Sequence, residues 1–379
     1  MPPSLYVDSR SDIVITPCGP ISAVLDQFIA RMPKVEIHLH LEGSVRAVTL
    51  RELALKHDID LPIHDEASLA AFYEFRDFAH FIDIYVAACC CLRTPDDFAR
   101  IAYEVGVEAA RQNTRYLEVH FNPEPHHRKR GISIRDQLDG MNAGRHRAER
   151  EFGVRMRWIA DGVRDAESGP GSVTQTLEWI AALPPDDDVI GLGLGGFEAE
   201  GPPELFAADF AAAKAAGLHV VAHAGETTGP DWIWRTFREL GAERIGHGVS
   251  AIHDPELVRH LVKSQIPLEV CPVSNLRTRV VTDPQSHPFA ALDAAGVLVT
   301  VNSDDPPMFG TTLTDEYRFL AATFGYDAPG LARLARNGVI ASFLSPAEKA
   351  TMLAEFDAEF ATIASELGMV EGLDQSIQT

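Results

Sequence analysis

The stretch VEIHLHLEG, residues 35–43, closes a β-branched run with two histidines one residue apart. Side chains two positions apart in a strand point to the same face, so His38 and His40 can aim into one space. Three more short apolar runs finish in residues of the same kind: LHVVAHAGE in His223 followed by Glu226, ERIGHGV in His247, and LVTVNSDDP in Asp304 and Asp305. Two imidazoles converging on one point, a third from His223 and a carboxylate from Asp304 form a nitrogen and oxygen donor set suited to zinc or another divalent transition ion. One strand histidine alone reads as a satisfied core residue; it is the coincidence at several strand ends that argues for a metal. A metal held this way keeps a position open for water and lowers the pKa of that water toward neutrality. Such a site also needs proton carriers. His247 and Asp305 are candidates to orient and deprotonate the water, and Glu226 could act as a protonated acid on a substrate. In isolation Glu226 also reads as a solvated loop residue, and His247, between two glycines, as a backbone-bonded turn residue.

What must position these groups is an alternation of strands and helices. Eight β-rich runs stand near 34–40, 114–121, 154–161, 188–194, 218–223, 243–247, 266–271 and 297–302, the number a closed parallel barrel requires. Helical periods over 95–112, 203–216 and 254–263 separate them. The expectation is an α/β protein, a (β/α)8 TIM-type barrel with additional peripheral helices, whose site is built at the C-terminal strand ends. Segments 46–93 and 312–370 carry more helix than a crossover needs and read as additions to one metal-dependent hydrolase domain spanning 1–379. PPDDD at 184–188, GPP at 201–203 and the basic HHRKR at 126–130 read as solvated loops.

Composition narrows the partners. A formal net charge of -22, from 33 Lys+Arg against 55 Asp+Glu, repels nucleic acid and anionic membrane surfaces. No apolar run approaches the roughly 18 residues of a membrane helix, and the opening MPPSLYVDSRSDIVITPCGP lacks the pattern of a signal peptide. The expected setting is cytoplasmic, with a small-molecule substrate; nothing in the sequence indicates an oligomeric state. Of the five cysteines, Cys89, Cys90 and Cys91 are adjacent in an apolar helical segment, while Cys18 and Cys271 stand alone, a pattern of reduced, mostly buried thiols.

The motifs together resemble the adenosine deaminase family of the amidohydrolase superfamily: MPKVEIHLHLEGS, VVAHAGE, RIGHGV, LEVCPVSNL and VTVNSDDPPMFGTTL follow one another in family order. The resemblance implies hydrolytic deamination of a 6-aminopurine to the 6-oxopurine with release of ammonia. It implies one zinc ion per chain on His38, His40, His223 and Asp304, with Glu226 as proton donor to purine N1. His247 would orient and deprotonate the attacking water, and Asp305 would assist. His40, Glu42, Gly196 and Asp305 would meet the substrate, Gly196 through its backbone amide.

Residue 42 bears on which purine. Nucleoside-specific members usually carry Asp there, in contact with the ribose 5′-hydroxyl, whereas adenine-specific relatives tend to carry Glu but also serine around Gly196. Glu42 beside a retained Gly196 fits adenosine, or a nucleoside with a bulky 5′ substituent such as 6-amino-6-deoxyfutalosine, with adenine itself as the alternative. The stretch FYEFRDFAHFIDIY at 72–85 falls where a substrate lid could form. Within it Arg76 either meets a substrate carboxylate or pairs with Asp77 or Asp83. Glu118, His120 and Asn122, at the end of the second strand, could line an outer pocket. Another mononuclear amidohydrolase is the nearest rival. A two-metal site is disfavoured because the fourth strand, IGLGLGG, offers no bridging lysine. Cys271-Pro272 has no second cysteine at the spacing of the P-C-x-x-C zinc deaminases.

Overall fold

In the computed structural model the expected runs become strands at Lys34–His40 (β1), Thr114–Phe121 (β2), Arg155–Arg164 (β3) and Val189–Gly196 (β4). They continue at His219–Ala224 (β5), Arg244–His247 (β6), Leu268–Val270 (β7) and Val299–Val301 (β8). The residues described are 19–369, apart from 64, 66, 67, 69, 70, 166 and 168; Cys18 lies outside them. The strands lie side by side in chain order, each parallel to the next. Closure runs through a parallel bridge between Leu39 and Asp304, where His40 N donates to Asp304 O at 2.9 Å and Asp304 N to His38 O at 3.2 Å. The result is a (β/α)8 barrel with surrounding helices, and the seam between its first and last strands lies at the histidine pair.

The helices obey their end signals. Pro95–Arg111 starts with Thr94 and Asp97 capping each other's backbone, then buries Phe98, Ile101, Ala102, Val105 and Ala109 along one face. The extra helices include Ala47–Lys56 and Phe78–Cys89 after β1, and Leu313–Phe324, Ala328–Ala341 and Pro346–Glu366 after β8. Inside the barrel, Arg244 donates to Glu118 at 2.5 Å and meets Glu269 at 2.5 Å, all three side chains being buried. Among the described residues no helix is long and apolar enough to cross a membrane, and Cys89, Cys90, Cys91 and Cys271 are free, Cys90 half-buried and the others buried.

Three expectations need correction. HHRKR is not a solvated loop: it is the second half of the helix Pro123–Arg130, which opens on a proline and stops at Gly131 with φ 68°, and His126 within it is buried. An all-polar helix carries no apolar stripe, so periodicity is blind to it. In PPDDD, Asp187 is buried and takes both terminal nitrogens of Arg135 at 2.8 Å. In GPP, Gly201 and Pro203 are likewise buried.

Candidate active site

At the C-terminal mouth of the barrel, His40 Nε2 lies 3.3 Å from His223 Nε2 and 3.2 Å from Asp304 Oδ1, and His38 Nε2 lies 3.5 Å from that same oxygen. One ligand atom from each of the four residues falls within 4.8 Å of all the others. The far sides of two imidazoles fix where their protons are. His223 Nδ1 sits 3.0 Å from Leu194 O, a carbonyl that can only accept. His38 Nδ1 sits 2.7 Å from Glu269 Oε2. Burial acts to raise the Glu269 pKa, but Arg244 and the His38 hydrogen bond hold it down at about 2, so it too is an acceptor. In their neutral forms both rings therefore carry the bare lone pair on Nε2, that of His223 facing His40 Nε2 and that of His38 facing Asp304 Oδ1. Burial lowers the His38 pKa, but the Asp304 and Glu269 contacts outweigh it and raise it to about 9, so the site favours a positive charge at that nitrogen. Lone pairs brought together in this way repel unless a cation lies between them, and three imidazole nitrogens with one oxygen suit a divalent transition ion.

The backbone is bent to make this possible. Asp304 (φ 65°) and His247 (φ 58°) both occupy the left-handed region, uncommon for residues with a side chain and typical of functional sites. Ser274 Oγ donates to Asp304 Oδ2 at 2.7 Å. A Cβ on Gly246, next to His247, would lie 2.8 Å from His38 Cε1, so a glycine there leaves room for the ring.

The candidate acid and base residues are set out around the four. Glu198 just after β4 accepts from the backbone of Gly225, Glu226 and Thr227 at 2.7, 2.9 and 2.7 Å, clamping the loop that carries Glu226. Burial, then the negative charges of Asp304 and Glu198, push the Glu226 pKa well above its ordinary value, which favours the protonated carboxyl. His247 Nε2 lies 3.6 Å from Glu226 Oε2 and 3.9 Å from Asp304 Oδ2. Its tautomer follows from a chain of bonds: Phe289 N donates to His287 Nδ1 (3.1 Å), so His287 Nε2 donates to Asn275 Oδ1 (3.2 Å), and Asn275 Nδ2 donates to His247 Nδ1 (3.2 Å). Burial holds His247 neutral, with a pKa lowered to about 4, and the proton it carries is on Nε2, facing the site. Asp305 is buried, with Oδ1 free of any hydrogen-bond partner among the described residues.

A cavity of about 390 Å³ opens above this floor. Gly195, Gly196 and Phe197 form one wall; Phe78, Phe81, Ile82 and Tyr85, from the helix at 78–89, form the other. Phe78 meets Phe197 edge-on at 5.8 Å, so the helical segment covers the mouth. Arg76 precedes that helix, is exposed, and among the described residues pairs with neither Asp77 nor Asp83 and does not line the cavity. Asp77 instead caps the helix through His80 N.

Glu42 stands behind the wall. It is fully buried and is not among the lining residues; its Oε1 accepts from Asn122 N at 2.9 Å and meets His126 Nε2 at 3.2 Å, and Tyr85 OH donates to Oε2 at 3.3 Å. Asn122, His126 and Tyr85 are the surfaces the cavity sees. Within β2, Glu118 belongs to the buried Arg244 cluster, and His120 is buried against Asp161 at 2.9 Å. Sequence reasoning missed Glu269, Ser274 and Asn275, although all three lie in LEVCPVSNL, and it missed Glu198 and His126, whose contacts are distant in sequence.

The comparisons agree with this geometry. The adenosine deaminase family model matches residues 33–359. An aminodeoxyfutalosine deaminase from Streptomyces avermitilis is 46% identical over 88% of this chain and 92% of its own length. An adenine deaminase from Rhodospirillum rubrum is 37% identical over 89% of this chain and 99% of its own. The crystal structure of an amidohydrolase from Burkholderia ambifaria with bound zinc superposes with a TM-score of 0.86 at 28% identity, covering 94% of this chain and 99% of that one.

Proposed function

The chain belongs to the adenosine deaminase family, and from that premise we propose that it removes the 6-amino group of a 5′-extended adenosine of the aminodeoxyfutalosine type, using one zinc ion. Hydrolytic deamination of a purine small molecule is common ground to the relatives. The observation that carries the choice of substrate is the wall built on Glu42, where a buried carboxylate holds Asn122, His126 and Tyr85 around a cavity of about 390 Å³. That volume falls in the roughly 300–1,000 Å³ range of sites enclosing drug-sized ligands, which a bare purine does not fill. The aminodeoxyfutalosine deaminase relative, at 46% identity, supports the same choice over the adenine deaminase at 37%.

His38, His40, His223 and Asp304 would hold the ion. When bound, it supplies a positive charge and acidifies a water toward neutrality. Glu226 donates its proton to purine N1, which draws electron density from C6. His247, with its proton on Nε2, donates a hydrogen bond to the attacking oxygen and to the negative charge that develops there. The sequence expectation gave His247 the deprotonation as well; the Asn275 bond to Nδ1 favours the donor role and leaves acceptance of the water's proton to Asp305, whose side chain lines the cavity. The Gly196 backbone and Phe197 flank the ring, and the aromatic helix at 78–89 excludes water. We propose the cytoplasm as the setting, with neither nucleic acid nor membrane as partner, on the strength of the charge of -22 and the free thiols.

The test is ammonia release, with the accompanying ultraviolet change, from 6-amino-6-deoxyfutalosine, adenosine and adenine. It uses protein as purified, stripped with a chelator, and reloaded with zinc. Turnover that vanishes on stripping and returns with zinc is expected. An undiminished rate in stripped protein, or no ammonia from any of the three, overturns the reading.

A further inference from the structure

The helix Pro123–Arg130 ends at the cavity in three consecutive cations, Arg128, Lys129 and Arg130, all of them lining it. Arg128 is committed to Glu124, Asp165 and Glu167, and Lys129 to Glu167. Arg130 is different. It is half-buried, its Nη2 lies 2.6 Å from Cys90 Sγ, and among the described residues no carboxylate comes within ion-pair distance of it. In a chain with 55 acidic against 33 basic residues, a half-buried guanidinium beside a thiol is a cation whose charge no carboxylate among the described residues balances.

Its position is fixed by the same contact that organises the wall. His126 and Arg130 are four residues apart on one helix, so they share a face, and Arg130 lies about 6 Å further along the axis. Glu42 anchors His126, so Arg130 stands one helical turn from the wall residue His126. The helix end supplies a negative dipole that favours a cation at this turn. The cavity is thus lined by Glu226, His247 and Asp305, by the rings of Phe78, Phe81 and Tyr85, and by Arg130.

Resting on the deaminase reading above, we propose that Arg130 binds an anionic group at the outer end of the substrate's 5′ extension and selects acid-bearing substrates over neutral ones. A charge-assisted, bidentate contact to a carboxylate or a phosphate is the chemistry it offers. In 6-amino-6-deoxyfutalosine the anion is the benzoate that ends the extension.

The experiment compares kcat/KM for 6-amino-6-deoxyfutalosine, its methyl ester and AMP in zinc-loaded enzyme, in Arg130→Gln and in Arg130→Lys. The acid is expected to exceed the ester by about ten- to a hundredfold, chiefly through KM. Arg130→Gln should bring that ratio close to one, and Arg130→Lys should restore part of it. Raised salt should weaken the acid and leave the ester alone. An Arg130-dependent preference for AMP would uphold the anion site and assign its ligand as phosphate. A ratio near one in the unmodified enzyme, or one unchanged in Arg130→Gln, overturns the inference while leaving the deaminase reading standing. Failure of that reading is a different result, silence on every purine. In that event calorimetric Kd values for acid and ester, with and without Arg130→Gln, still decide whether the anion site exists.

Discussion

Glu269 Oε2 lies 2.7 Å from Nδ1 of His38, while its other oxygen meets Arg244 Nε at 2.5 Å, deep in the barrel. One carboxylate thus joins a buried charge cluster to an imidazole of the proposed metal set, and it holds His38 Nδ1 as a protonated nitrogen. Partners of this kind typically change metal affinity by 10–100-fold when lost. Glu269→Gln is expected to weaken zinc by about that factor, read by competition with a chromophoric chelator, with the far-ultraviolet spectrum retained. Unchanged affinity would detach the cluster from the metal site.

Glu226 and Asp304 should part company in their effects. Glu226→Gln keeps the loop clamped by Glu198 but cannot donate a proton, so zinc content should stay at one per chain while turnover drops by about 10²–10⁴-fold. Asp304→Ala should lose the ion as well. Metal analysis beside the rate separates the two, and a fully active Glu226→Gln would remove the proton donor from the account.

Gly43 packs directly on Asp305: a Cβ at Gly43 would fall 1.5 Å from Asp305 Oδ1. Gly43→Ala is therefore expected to displace that carboxylate and reduce kcat by more than about tenfold, an effect of at least ~1.4 kcal/mol on the barrier. The thermal midpoint should change far less than for a core truncation. Normal kcat in Gly43→Ala would mean Asp305 does not need its present position.

Glu42→Asp shortens the carboxylate that spans Asn122 N and His126 Nε2. With one bond lost, the wall loosens on the side away from the proton carriers. KM for the 5′-extended nucleoside should rise about tenfold, with kcat within a few-fold of normal. A drop confined to kcat would place Glu42's influence at the reacting end instead.

Lys34 tests the electrostatics away from the site. Its ammonium is buried, donating to Met32 O at 2.9 Å and Gln112 O at 3.0 Å, and burial lowers its pKa to about 7. A base whose folded pKa lies below its unfolded value is penalised while protonated. The penalty is complete below about pH 7 and fades as pH rises toward the unfolded value of 10.5. Lys34→Met should flatten the rise in stability between those limits, by up to several kcal/mol, visible in urea midpoints at pH 7 and pH 9.5. Parallel curves for the two proteins would show that Lys34 stays charged in the fold.

How much of this was legible in the sequence follows from range. His38 and His40 announce themselves because a strand has period two, and His223, His247 and Asp304 because barrel strands end where the site is. Their bare nitrogens were not legible, since these depend on Glu269 and Leu194, which are remote in the chain. Glu42 was read as a substrate contact because it follows the two histidines of the expected metal set. Its partner His126 is 84 residues away, in a helix too polar to show a periodic face. The cations of that helix took the place in the cavity that reading by proximity had offered to Arg76.

The central claim, deamination of a 5′-extended adenosine, is tested most directly by kcat/KM for 6-amino-6-deoxyfutalosine against adenine in zinc-loaded enzyme. The account predicts that the nucleoside is favoured by more than about a hundredfold, since only it engages the wall and rim as well as the floor. Adenine turned over as well or better would contradict it and make the wall on Glu42 a barrier to ribose.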